Sequence, residues 1–455
     1  AHAKSARQGP VWLDVPQDIQ GTVVSKNTIE RLATLRDDIE EKIAQLSIPQ
    51  VIESDFSELT KLLKQAKRPM VLLGGGANKI PKVAEKLSHF IKSNELPIAA
   101  TYSGTDVVEH SYSGYLGCAG VKGSRAANFS LQNCDFLLVL GSRLPHAVIG
   151  YDVSAFAKNA KIGVVEIDRN EIKKNTHFLG DRVVNVHGTI DGFLAACPQS
   201  GEDVVPNITA DWKTRCSVSA QTWDTLTQNK QTYDYQGISI YHVMEALNST
   251  QFDEDIFSSD AGSISYVAPV TLKYGKNRQF VFSPAQADMG CALPSAIGAA
   301  VTHKDRRVIC VTGDGSLMSN LQELATLKYH DCNLILVLLN NKGYMSISNT
   351  QRNNFSNRRY GESEGRGINF PNYEKIADAF GINYIQVNNV DKLDCINEIN
   401  GPVLVEVVCL EQEVIAPFQS RINGKQAGIH DMAPHLPLED LIKFGSVDLD
   451  FERFD

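Results

Sequence analysis

The sequence contains no CxxC pair, no apolar run long enough to cross a membrane and no excess of positive charge. Its nine cysteines stand singly, most of them inside apolar runs. That excludes a paired-cysteine metal site or a disulfide framework and favours buried thiols in a reducing, cytoplasmic compartment. With 44 basic against 53 acidic side chains the net charge is −9, so neither nucleic acid nor an anionic membrane surface is an expected partner. Short-period repeats and low-complexity tracts are absent. So is a GxGxxG fingerprint: Gly74-Gly75-Gly76 reads as a strand-to-helix turn.

What is present is ordinary globular material: 455 residues, 43% hydrophobic and 21% charged, enough for roughly two or three domains. Near-continuous apolar stretches alternate with helical periods twice along the chain. PMVLL, LPIAATY, DFLLVLG, KIGVVEID and RVVNVHG form one series, and EDIFSSDAG, RQFVFSP, RRVICVTGDG, NLILVLLNN, INYIQV and GPVLVEVV the other. Strands of that kind, separated by helices, argue for an α/β fold of two doubly wound parallel-sheet domains, each covered on both faces. The pattern places one domain at 55–200 and the second at 236–420, with linkers at 25–54 and 201–235 and a surface-wrapping tail at 421–455. Residues 1–24 read as the end of a third domain, a basic helix tail followed by a buried strand from Val11 to Val15, and Ser54 as a helix cap.

The chemistry concentrates in VTGDGSLMSNLQELATLKYHDCNLILVLLNNKGY, residues 311–344. Gly313-Asp314-Gly315-Ser316 ends one apolar run and Asn340-Asn341 the next, so one βαβ crossover brings both to the carboxyl edge of a parallel sheet, where such folds keep their ligand crevice. Asp314, the Asn341 amide and the Gly343 carbonyl are hard oxygen donors suited to Mg²⁺. Gly313, Gly315 and Ser316 leave backbone N–H groups open to a phosphate. A lone GDG would be a turn and a lone NN a strand cap; the spacing favours a diphosphate–metal site. Ala261-Gly262-Ser263, after an earlier strand, is a second small-residue anion loop.

The GDGS…NN pair resembles the thiamine-diphosphate fingerprint, and QADMGCALPSAIGAA, GPVWLDVPQDIQG, HSYSGYLGCAGVKGSRAAN and LLVLGSR are similar to segments of acetolactate synthase large subunits. The resemblance implies Mg²⁺ at Asp314, Asn341 and Gly343. It implies diphosphate contacts at Ala261, Gly262, Ser263, Gly315 and Ser316, with Tyr344 beside them. Met289 would be the apolar wedge under the bent cofactor, with core packing as the bland alternative, and the Ala287 and Met289 backbones would hold the aminopyrimidine. It further implies a carboligase that decarboxylates pyruvate and passes the acetyl unit to a 2-oxo acid or keto-sugar, working as a homodimer or homotetramer. A simple 2-oxo-acid decarboxylase and a non-catalytic nucleotide-binding fragment are the alternatives.

Family members activate the cofactor with a glutamate from a first, pyrimidine-binding domain. No glutamate in this chain can be assigned that role, so the isolated chain is expected to bind the cofactor weakly and to be inactive. The synthases carry a tryptophan where this chain has Thr350, and NNKGYMSI looks closer to relatives found with surface-polysaccharide sugar pathways. Gly117, Gly120, Gly123 and Arg143 match the family's FAD-binding pattern, whereas Pro145, His146 and Ala147 depart from it. His110 and His187 read as structural. The run from Asn353 to Arg359 reads as a mobile loop whose arginines meet an anionic substrate.

Overall fold

The computed structural model describes residues 9–45, 53–77, 81–197, 207–232, 237–249, 254–283, 285–422 and 425–444. Two six-stranded sheets carry the fold. The first holds β1 (Pro69–Leu73), β2 (Ile98–Ala100), β3 (Tyr115–Cys118), β4 (Phe136–Leu140), β5 (Lys161–Glu166) and β6 (Val183–His187), in the order β3-β2-β1-β4-β5-β6. The second holds β7 (Ile256–Ser259), β8 (Gln279–Val281), β9 (Val308–Gly313), β10 (Leu334–Asn340), β11 (Asn383–Val387) and β12 (Val403–Val408), in the order β11-β12-β10-β9-β7-β8. Every pairing within the two sheets is parallel.

The sequence explains why. β1, β4 and β7 are buried along their whole length, and β10 is buried except at its last residue. A strand with helices on both faces has no solvent face to make polar, so it reads as an unbroken apolar run. Each fully buried Leu, Ile or Val contributes on the order of 1.5–3 kcal/mol relative to exposure. β3 escaped the sequence reading because it is an edge strand with alternating burial, its register against β2 broken beside Gly117 at φ +103°.

Three expectations are corrected. Residues 9–16 form no strand, and Val11, Trp12 and Leu13 are 58%, 91% and 82% exposed: a strand needs a ladder partner, and no described strand lies beside them. Ser54 lies inside the first turn of the helix Glu53–Gln65 rather than capping it. Within the supposed linker 201–235 stand two helices: Ala210–Thr222 packs on the first domain, where buried Trp212 donates its indole N–H to the Pro69 carbonyl at 3.0 Å, and Thr225–Thr232 packs on the helices Ile240–Asn248 and Ser263–Thr271 of the second.

The tail returns to the first domain. Buried Arg125 donates to the carbonyls of Met432 (2.7 Å) and Pro434 (2.5 Å), and Phe444 packs edge-on against Trp223. A chain from Ser420 through His435 to Asp431 stitches the tail to itself. The two domains meet where Thr105 donates to the Pro269 carbonyl, His110 N donates to the Tyr274 carbonyl and Asp106 accepts from Phe280 N. All nine cysteines are free thiols. No described helix is long and apolar enough to cross a membrane.

Candidate functional site

In the second sheet the strand order reverses between β7 and β9, and a doubly wound sheet opens its crevice at the carboxyl ends of such a pair. The cavity there is lined from β7's end by Ala261, Gly262 and Ser263, from β9's end by Gly313, Asp314, Gly315 and Ser316, and from β10's end by Asn341, Gly343 and Tyr344. Met289 joins them from the loop after β8. Of the residues expected to hold the metal or the cofactor, only Ala287 stays outside the lining. It sits at φ +55°, two residues before Met289.

Besides the helix Ile240–Asn248, whose first N–H is taken by Glu413, two helices of eight residues or more start at this cavity, Ser263–Thr271 and Met345–Asn354, and the single turn Asp314–Leu317 starts there too. Their first N–H groups have no intrahelical acceptor, and the aligned peptide dipoles favour an anion. Gly262 (φ +82°) and Gly313 face open space: a β-carbon on either would meet nothing within 4 Å and would project where a ligand could lie against backbone.

Asp314 is 1% exposed. Its Oδ1 accepts from Gly315 N at 2.6 Å and its Oδ2 from Gly343 N at 3.1 Å, so one carboxylate ties the ends of β9 and β10 together. Burial raises its pKa to about 6, with the backbone N–H groups pulling the other way. No lysine or arginine among the described residues pairs with it. A hard divalent cation is the counter-charge such a group suits. Of the asparagine pair, Asn340 turns inward to donate to Glu406 and accept from Lys342 N, while Asn341 lines the cavity. Met289 is 41% exposed at the cavity, so core packing does not explain it.

The strap 359–368 closes over the Gly343 turn. Tyr344 N donates to the Glu362 carbonyl at 2.7 Å, and Glu364 N to the Lys342 carbonyl at 3.1 Å. Here the structure corrects the loop expectation: Asn353 and Asn354 belong to a helix, and Arg359 is engaged by the fully buried Glu362 at 3.0 Å. Asp260, Tyr373 and Glu413 were missed. Tyr373 donates to the Asp314 carbonyl at 3.0 Å, and buried Glu413 lines the cavity and accepts from Ile240 N at 3.0 Å. Both reach the site from far along the chain, so no local spacing could have signalled them.

The glycines behind the FAD expectation have reasons internal to their own loop. A β-carbon on Gly117 would lie 2.4 Å from Ser124 Oγ, on Gly120 2.3 Å from the Ala147 carbonyl oxygen and on Gly123 2.4 Å from the Cys118 carbonyl oxygen. Arg143 is exposed, and Pro145 leads into the short helix His146–Ile149. His110 is half-buried at the domain junction, where it stacks on Tyr115 and is held by the Thr105 carbonyl, as a structural histidine would be.

Comparison with known proteins agrees with this geometry. Residues 260–407 match the model of the thiamine pyrophosphate enzyme C-terminal TPP binding domain, and residues 56–196 that of the thiamine pyrophosphate enzyme central domain. Over 422 residues the chain is 30% identical to the acetolactate synthase isozyme 2 large subunit of Escherichia coli (strain K12), covering 91% of this chain and 71% of that protein. It is 29% identical to the isozyme 1 large subunit of the same organism, covering 91% and 70%, and 28% identical to the chloroplastic acetolactate synthase 3 of Brassica napus, covering 91% and 63%. The chain belongs to the acetolactate synthase large-subunit family of thiamine-diphosphate enzymes. The family's central and C-terminal domains are the two sheets described above.

Proposed function

We propose that the protein is a thiamine-diphosphate- and Mg²⁺-dependent carboligase that decarboxylates pyruvate and transfers the acetyl unit to a second carbonyl, a 2-oxo acid or a keto-sugar. The observation that carries this reading is the convergence of the buried Asp314, the open positions at Gly262 and Gly313 and two helix N-termini on one cavity at the strand-order reversal. In it, Asp314, the Asn341 amide and the Gly343 carbonyl hold the cation. The backbone of Ala261–Ser263 and Gly315–Ser316 holds the diphosphate. Met289 supports the cofactor from its two-fifths-exposed position, where a flexible thioether packs against a ring.

The chemistry that thiamine diphosphate supplies when bound is decarboxylation of a 2-oxo acid with the electron pair kept for attack on a second carbonyl. The chain's own part is to orient the diphosphate end, set the wedge and exclude water with the Tyr344 side chain and the strap above it. A homodimer or homotetramer belongs to this reading and is checked by sedimentation equilibrium, where a monomer at micromolar concentration would contradict it.

The test is product analysis with the protein from its natural source, given pyruvate, thiamine diphosphate and Mg²⁺, with and without an added acceptor carbonyl. Acetyl-transfer products support the proposal. Acetaldehyde alone, whatever acceptor is offered, replaces it with a simple decarboxylase. No release of carbon dioxide contradicts both.

A further inference from the structure

Asp260 follows β7 and is 2% exposed. Its carboxylate gathers donors from three separate segments of the cavity wall. Oδ1 accepts from Ala261 N at 2.9 Å and from Gly290 N at 2.8 Å, and Oδ2 accepts from the Thr312 hydroxyl at 2.9 Å. Ala261 opens the small-residue loop, Gly290 follows Met289, and Thr312 lies two residues before Asp314. No described cation pairs with this buried carboxylate, so these three donors are what compensate its desolvation. Gly290 is gripped from its other side as well: its carbonyl accepts from Asn320 Nδ2 at 2.8 Å, and a β-carbon on it would fall 2.7 Å from Ser319 Cβ. The backbone beneath Met289 is therefore fixed although the Met289 side chain is two-fifths exposed.

We propose that Asp260 is a positioning residue of the cofactor cavity, its carboxylate holding the Met289–Gly290 turn and the Ala261–Ser263 loop in register with the strand that presents Asp314. The proposal rests on the reading of the cavity as a Mg²⁺–thiamine diphosphate site. A ligand that spans the cavity must meet the anion loop, the metal ligands and the wedge at one fixed separation, and Asp260 is the group common to all three. Loosening it penalises a spanning ligand more than one that occupies only the anion end.

The test uses the full chain and two variants. Asp260→Asn keeps the shape but loses the charge and one acceptor; Thr312→Val removes only the link to the metal strand. Calorimetric titration with Mg²⁺–pyrophosphate and with Mg²⁺–thiamine diphosphate is set beside amide hydrogen exchange of residues 286–291 without cofactor. Asp260→Asn should weaken thiamine diphosphate about tenfold or more, change pyrophosphate by less than about threefold, and speed exchange at 286–291. Thr312→Val should give a smaller change of the same kind, and the double variant should add little to Asp260→Asn. Equal losses for the two ligands, or unchanged exchange at 286–291 in Asp260→Asn, overturn the positioning role. If the parent chain itself binds no Mg²⁺–pyrophosphate, it is the reading of the cavity that fails, and that result is seen before any variant is made.

Discussion

Gly315 and Tyr344 meet across the cavity wall so closely that a β-carbon on Gly315 would lie 2.0 Å from the tyrosine ring. The ring cannot easily withdraw, because it packs edge-on against Phe370 at 6.0 Å and its own backbone N–H is tied to the Glu362 carbonyl. Gly315→Ala should therefore displace Tyr344 from the cavity and weaken thiamine diphosphate by about tenfold or more while the protein stays folded. Titration calorimetry reads the effect, and parental affinity in the variant would mean that the ring yields freely.

Met289 offers a contrast between function and stability. A buried Met→Ala change costs on the order of 2–5 kcal/mol. With 41% of Met289 exposed, Met289→Ala should cost far less than that and still abolish most turnover of the natural-source protein assayed for acetyl transfer. A large fall in melting temperature with normal turnover would reverse the assignment.

At the opposite edge of the same sheet, Arg307 grips Asp255 through Nε–Oδ1 at 3.0 Å and Nη2–Oδ2 at 2.7 Å, with the two side chains 6% and 1% exposed. Asp255→Ala leaves a buried guanidinium without its carboxylate and should destabilise by about 3–5 kcal/mol; pairing Asp255→Val with Arg307→Met should cost less than that single change. Urea denaturation checks both. Pyrophosphate affinity of the folded variants should match the parent, because the pair precedes β7 and β9 while the cavity follows them.

His110 carries the pH dependence of the domain junction. It stacks on Tyr115 with centroids 3.9 Å apart, meets Tyr274 edge-on and donates from Nε2 to the Thr105 carbonyl at 2.7 Å. Burial drives its pKa down to about 4, and Lys273 pushes the same way. The unfolded chain, with a histidine near pH 6.5, takes up that proton first. The stability linked to His110 is therefore whole above pH about 6.5 and lost as the pH falls toward 4, an effect of about 3 kcal/mol at most. His110→Phe should melt lower at neutral pH, since the Thr105 carbonyl loses its donor, and should show a shallower decline in acid. Identical acid profiles would show that the fold does not lower the pKa of His110.

The strands were legible because β1, β4, β9 and β10 are nearly unbroken apolar runs bounded by glycine, proline or charge. The pairing of Asp314 with Asn341 was legible because one crossover fixes where both fall. Illegible were features made by distant partners. Tyr373 reaches the Asp314 carbonyl, Glu413 comes back from beyond β12, and Asp260 joins three segments, with nothing in its neighbouring sequence to say so. The misread stretches failed for related reasons. Val11–Val15 has strand composition but no ladder, and residues 210–232 look polar because only Trp212, Cys216 and a few neighbours face the core.

The most direct test of the account is a calorimetric titration of thiamine diphosphate, with and without Mg²⁺, into the parent chain and into Asp314→Ala and Asn341→Ala. Each variant removes one oxygen from an ion that demands near-octahedral geometry. The account predicts Mg²⁺-dependent binding by the parent and a loss of about tenfold or more in each variant. Binding as tight in either variant as in the parent, or binding by the parent indifferent to Mg²⁺, would contradict the assignment of this cavity.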